Sequence, residues 1–178
     1  EDYAEGESCD KAIAIELGDT AIPATVGKFY YSYTAEKDGV LTIESDMVYE
    51  SIYDGYNSSN NEIAYATDCN NYFTTIMTSG PDGTIFSGST IVSEGTTVYI
   101  RVKTITAQPD KKLTLNIRDL LPGEGCSSPI EIQPGIIRLQ ETTYDKPVWY
   151  SIELEPGVFS VTSTNYFTME LYESCDSE

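Results

Sequence analysis

The sequence predicts an all-β protein: an antiparallel β-sandwich, present as a tandem repeat with its second copy incomplete. Short runs of residues alternate between apolar and polar with a period of two, and no window carries a 3.6-residue apolar period with helix caps. Turn residues punctuate those runs every 8–12 positions, the spacing of sandwich and barrel strands. The chain also repeats itself. Gly6-Glu7-Ser8-Cys9-Asp10-Lys11-Ala12-Ile13 returns as Gly123-Glu124-Gly125-Cys126-Ser127-Ser128-Pro129-Ile130, and Gly39-Val40-Leu41-Thr42-Ile43 returns as Gly157-Val158-Phe159-Ser160-Val161. The paired cysteines stand 117 positions apart and the paired glycines 118, a register that implies two copies of one module.

Each element follows from its residues. Residues 28–35, Lys28-Phe29-Tyr30-Tyr31-Ser32-Tyr33-Thr34-Ala35, are aromatic-rich and end at a Lys37-Asp38-Gly39 turn; residues 40–45 then alternate, so the two runs read as a hairpin. Residues 97–102 place Val98, Ile100 and Val102 on one face, and residues 113–118 repeat the pattern and close the first copy. In the second copy the same hairpin is expected from 147–153 and 158–162 around Pro156-Gly157. Residues 72–83 read as an added or diverged hairpin, with Ser79-Gly80-Pro81-Asp82-Gly83-Thr84 as turn chemistry. The organisation is a complete module over 1–119, a short linker at 120–122 around Pro122, and the first half of a second module over 123–178.

Composition narrows the function classes. Asp plus Glu number 29 against 10 Lys plus Arg, a net charge of −19 spread along the chain. Such a surface repels phosphate backbones and anionic lipid heads, which argues against nucleic-acid and membrane-surface partners. No run approaches the roughly 18 consecutive apolar residues of a membrane span. Nor does a charged-then-apolar leader open the sequence, so Glu1 reads as the start of a trimmed or mature chain. The four cysteines, Cys9, Cys69, Cys126 and Cys175, fall two per copy. Four cysteines allow three pairings. A module that closes its own bridge selects Cys9–Cys69 and Cys126–Cys175, while the absence of histidine and of close cysteine pairs argues against zinc. Disulfides place the chain in an oxidising compartment.

The succession Gly6-x-x-Cys9, Tyr30-Tyr31-Ser32-Tyr33-Thr34-Ala35, Ser51-Ile52-Tyr53-Asp54-Gly55, Ile63-Ala64-Tyr65-Ala66-Thr67-Asp68-Cys69 and Glu94-Gly95-Thr96-Thr97-Val98-Tyr99-Ile100-Arg101-Val102 resembles the bacterial pre-peptidase C-terminal domain. Val148-Trp149-Tyr150-Ser151 and Leu171-Tyr172-Glu173-Ser174-Cys175 carry the resemblance into the second copy. It implies a jelly-roll-like sandwich, exported or on the bacterial cell surface, serving as a non-catalytic accessory or interaction module of a larger protein. Its implied partners are other domains of the same polypeptide. One departure stands out: Tyr56 occupies the place of Cys175 and the first-copy cysteine comes later, at Cys69, so the two bridges are expected to differ in geometry.

The search for chemistry gives little. Without histidine no Ser-His-Asp or Cys-His system can be built, and no Gly-rich phosphate loop is present. A glycosidase-like carboxylate pair needs a convergence that sequence does not display, and the acids read as solvated turn and strand residues. The chain is therefore expected not to be an enzyme and to carry no cofactor. A structural calcium at the turn-borne Asp46, Asp54, Asp68, Asn70 and Asn71 is left open, with no ligand set assigned. The tyrosines offer a binding signal: 14 Tyr against 5 Phe and 1 Trp, with Tyr49, Tyr53, Tyr56, Tyr65 and Tyr72 clustered. Aromatic faces with polar tips suit sugar rings or protein surfaces. The alternative is that they plug sandwich edges. Tyr56 and Tyr72 flank the polar run Asn57-Ser58-Ser59-Asn60-Asn61 and are the binding candidates, with a carbohydrate-binding or adhesin module as the alternative function. Asn57-Ser58-Ser59 also matches the N-glycosylation pattern.

A half sandwich over 123–178 would leave strand edges and an apolar face around Val148, Trp149, Phe159 and Val161 uncovered. Of three resolutions, namely a fragment of a longer protein, packing on the first copy, or exchange between chains, the first is expected.

Overall fold

Alternation of side chains along short strands decides the architecture of this computed structural model, which describes residues 3–53, 58–80, 83–139, 147–162 and 168–175. The chain divides into two compact units, Glu1–Asp119 and Leu120–Glu178. In the first, a 3₁₀ turn at Cys9–Lys11 precedes twelve strands: β1 Ile13–Ala14, β2 Gly18–Ala21, β3 Gly27–Thr34, β4 Gly39–Ser45, β5 Ser51–Tyr53, β6 Ser58–Asn60, β7 Glu62–Ala66, β8 Thr74–Thr75, β9 Thr78–Gly80, β10 Gly83–Val92, β11 Thr97–Thr104 and β12 Lys112–Arg118. The second contributes β13 Ile130–Ile132 and β14 Tyr150–Ile152.

Two five-stranded sheets, in the orders β1-β3-β11-β7-β8 and β2-β12-β4-β10-β9, and the two-stranded pair β5-β6 make the first unit. One core cluster draws on both, with Tyr31, Tyr33, Ile63, Val98, Ile100 and Val102 from the first sheet and Leu41, Ile43, Phe86, Leu113 and Leu115 from the second. Strand β11 alternates perfectly, burying Val98, Ile100, Val102 and Thr104. The unit is thus a β-sandwich, with inward residues of two sheets forming one core. Its ladders are antiparallel except β1 with β3, an exception to the wholly antiparallel expectation.

The hairpin expected between residues 28–35 and 40–45 does not form. β3 pairs with β1 and β11, whereas β4 pairs with β10 and β12. The chain crosses from one sheet to the other at Ala35, whose N–H donates to Thr96 O at 2.9 Å and whose O accepts from Gly95 N at 2.8 Å. Gly39 is needed at this crossing because a Cβ there would meet Arg118 O at 2.5 Å. An arch and a hairpin share one period-two signature. What separates them is that stacking sets Tyr31 and Tyr33 across the core from Leu41 and Ile43, burying both apolar faces. Residues 72–83 split likewise: β8 edges the first sheet, while β9 pairs with β10 across Gly80 and Gly83 in the second.

A buried polar clamp holds the chain between β4 and β7. Asn61 Nδ2 donates to Val48 O at 2.9 Å and its Oδ1 accepts from Ile105 N at 2.8 Å. Gln108 grips the same Val48 through both backbone groups. Each buried polar atom has a partner here, as burial demands.

The bridges are Cys9–Cys69 and Cys126–Cys175, each within its own unit. Both span 5.6 Å between Cα atoms, despite separations of 60 and 49 residues, so the expected difference in geometry is not seen at the backbone.

The second unit reproduces the opening of the first in detail. Gly6 N donates to Lys11 O at 2.6 Å and Gly123 N to Ser128 O at 2.6 Å; Tyr30 N reaches Gly6 O at 2.8 Å and Trp149 N reaches Gly123 O at 2.9 Å. The side chains of Glu7 and Glu124 accept from Ala4 N and Leu121 N. Gly6 and Gly123 adopt φ values of 82° and 88°, which favour glycine, and a Cβ at either would strike the Cδ1 of Ile13 or Ile130. β13 lies parallel to β14, with Ile130 opposite Tyr150, as Ile13 lies opposite Tyr31. Beyond this the units diverge. Residues 158–162, expected as a strand, form none, because β4 lies between β10 and β12 and the described part of this unit supplies no such neighbours. Leu41 and Ile43 are 0% exposed, whereas Phe159 and Val161, which stand after Gly157 as those two stand after Gly39 in the sequence, are 42% and 43% exposed.

Candidate functional site

Tyr72 is the most exposed aromatic of the described residues, its exposure 100% on a loop between β7 and β8. The loop is fixed on both sides of it. Asp68 Oδ1 accepts from Asn70 N at 2.9 Å and from Asn70 Nδ2 at 3.2 Å, while Asn71 N donates to Asp68 O at 3.1 Å, an Asx turn built by the Asp-Cys-Asn-Asn run. Cys69 is bonded to Cys9 at the start of the chain. On the far side, Phe73 meets Tyr30 edge to face, with ring centroids 6.2 Å apart, and receives the Arg101 guanidinium at 4.9 Å. Arg101, on β11, also binds Glu62 of β7 through Nη2, and its Nε has no hydrogen-bond partner among the described residues. The cation is thereby committed to the loop's support and to Glu62. Above this support the Tyr72 ring stands fully exposed.

The other flagged tyrosines separate by burial. Tyr49 and Tyr65 pack on the core, as edge-plugging predicts, and Tyr49 lies 6.3 Å from Phe86. Tyr56 lies outside the described residues, as do Asp54 and Asn57 of the glycosylation pattern. Tyr53 is 72% exposed on the β5–β6 hairpin, beside the half-exposed Ile52. Tyr53 belongs to the tyrosine cluster read from the sequence but not to the two binding candidates, and it is the fold that shows it exposed.

Electrostatics do not single out a reactive group. Burial pushes the Tyr31 hydroxyl up to about 12, and burial likewise raises Tyr33, assisted by the Glu36 and Glu16 carboxylates. On the surface, the hydrogen bond from Lys112, at 2.6 Å, holds Asp19 below the usual carboxylate range, and Lys112 is raised in turn. Lys37, at 2.5 Å, does the same to Asp119. The calcium candidates Asp46 and Asp68 accept backbone hydrogen bonds from Lys112 and Asn70, and among the described residues no three His, Cys, Asp or Glu side chains gather as a metal group. A shallow depression of about 290 Å³ lies along β1 and β3 between Glu16 and Glu36; it is small for a ligand pocket and does not include Tyr72.

No protein-family model, curated protein or solved structure matches the chain. No helix among the described residues is long and apolar enough to cross a membrane. The two disulfides favour an oxidising setting.

Proposed function

We propose that this chain is a non-catalytic extracellular accessory and interaction module of a larger secreted or cell-surface bacterial protein, built from one pre-peptidase C-terminal-like domain and the first half of a second. The observation that carries this reading is the recurrence of the glycine-centred opening, its hydrogen bonds and its parallel strand pair in both units. Tandem β-modules, each closed by its own disulfide, suit a chain that serves neighbours outside the cell. The jelly-roll-like topology belongs to the same proposal. Fusion to an exported reporter enzyme tests it. The reporter is expected to stay active at the cell surface, while the purified chain turns over no peptide or polysaccharide substrate. Turnover by the chain alone, absent from a mock preparation, refutes it.

A second reading, carbohydrate binding, is favoured by Tyr72, since a preorganised exposed ring is a stacking platform for a sugar face. A polysaccharide pull-down that is positive for the chain and lost in Tyr72→Ala, with the melting temperature unchanged, establishes it. Equal retention by both proteins rejects it.

A further inference from the structure

We infer that the outer face of the first unit's β1-β3-β11-β7-β8 sheet binds an acidic polysaccharide, one whose sugar rings carry carboxylates, with Lys28 and Lys103 as the anion clamp and Tyr30 and Tyr99 as the ring-contacting surface. This site rests on the carbohydrate-binding reading and adds to it the charge of the sugar. Burial of Tyr31, Tyr33, Val98, Ile100 and Val102 in the core turns the alternate residues outward. On β3 these are Lys28, Tyr30, Ser32 and Thr34, and on β11 Thr97, Tyr99, Arg101 and Lys103. The ladder sets them in rows: Lys103 against Lys28, Arg101 against Tyr30, Tyr99 against Ser32 and Thr97 against Thr34.

Charge selects the ligand. Directly opposed residues on neighbouring strands hold their Cβ atoms about 5 Å apart, and like charges there repel. The Lys28 and Lys103 ammonium groups have no ion-pair partner among the described residues. Glu62, the acid in their row, is bound to Arg101 instead. The strand positions of this face thus hold three cations against one acid, on a chain of net charge −19. A carboxylate seated between the two lysines offsets their repulsion and accepts hydrogen bonds from both. At about 0.15 M salt, screening acts over roughly 8 Å, so the acids elsewhere on the chain do not cancel this local attraction. The rings favour a sugar among anions. Tyr30 and Tyr99 are diagonal neighbours, half-buried on the same face, and Phe73 braces Tyr30 edge to face. Aromatic faces with polar tips suit pyranose rings. Tyr72 precedes Phe73 in the chain, which puts the exposed ring of the loop at the border of this face.

The test measures binding of the full oxidised chain to immobilised polygalacturonate at about 0.15 M salt. Dextran serves as the neutral polymer and poly-glutamate as a polyanion without sugar rings. Polygalacturonate is expected to hold the chain about tenfold or more tighter than dextran does. Lys28→Gln and Lys103→Gln are each expected to weaken that binding about fivefold, with the melting temperature unchanged or raised, since either change removes the repulsion. Lys37→Gln, at a cation paired with Asp119 away from this face, is expected to bind as the parent chain does. Equal affinity of the parent and both lysine variants overturns the clamp. Equal affinity for dextran and polygalacturonate overturns the acidic ligand and leaves the carbohydrate reading standing. Poly-glutamate bound as tightly as polygalacturonate assigns the face to an acidic peptide and overturns the sugar. Retention on neither polysaccharide overturns both the site and the carbohydrate reading.

Discussion

Leu41 stands two residues after Gly39 and Phe159 two after Gly157, yet Leu41 is 0% exposed and Phe159 is 42% exposed, so truncating each to alanine separates a packed core from an exposed ring. Leu41 touches a cluster built from both sheets, and Leu→Ala at such a site costs about 2–5 kcal/mol, transfer and cavity together. With an unfolding entropy of ~2.1 cal/mol/K per residue, a unit of this size shifts by roughly 4 °C per kcal/mol, a fall of ~8–20 °C. Phe159→Ala removes a ring already half in water and leaves the first unit's core untouched, so the far-UV CD melt is expected to move by no more than about 2 °C. The emission of Trp149, the single tryptophan, follows the second unit separately. A Leu41→Ala fall below about 4 °C, or an equal fall in Phe159→Ala, refutes the assignment of the core to the two-sheet sandwich.

Because burial raises Tyr31 to about 12, its contribution is complete below the unfolded value near 10 and is lost as pH rises through 12. Urea midpoints are expected to drop over that window by the equivalent of about 3 kcal/mol, and Tyr31→Phe to flatten the drop. Replacing Cys9 and Cys69 by serine opens a 60-residue loop, with a loss of up to about 4 kcal/mol in the chain-entropy model, measurable as a lower denaturation midpoint. Asn61→Ala strips the side-chain acceptor from Ile105 N and one of two donors from Val48 O, which keeps Gln108 Nε2. A loss of about 2–4 kcal/mol is expected in urea unfolding, against under about 0.5 for Tyr72→Ala.

The strands themselves were legible in the sequence because alternation is a local signal: β11 and β12 appear where Val98, Ile100 and Val102, then Leu113 and Leu115, recur every second residue. Which sheet each strand joins was not legible. The Lys37-Asp38-Gly39 turn reads as a hairpin, and only the packing of Ala35 against Thr96 and Gly95 reveals an arch. The short β1 was invisible too, since two residues held by β3 carry no period. At the candidate site, the exposure of Tyr72 was expected from the polar run 57–61, though that run ends at Asn61, eleven positions before it. Its support was not, because Tyr30, Phe73 and Arg101 come from three separate segments that only the fold brings together.

The Cys9–Cys69 bond has a mechanical side. It closes a covalent ring around β1 through β7, leaving β8 through β12 outside it. Under tension applied at its ends, the first unit can pay out only the chain outside that ring, which withholds ~200 Å of contour at ~3.5 Å per residue. An oxidised module pulled apart this way keeps seven strands on a short leash and stops at roughly half its full extension. Reduction lengthens the same tether about twofold, so the redox state of one bond sets how far this unit can stretch.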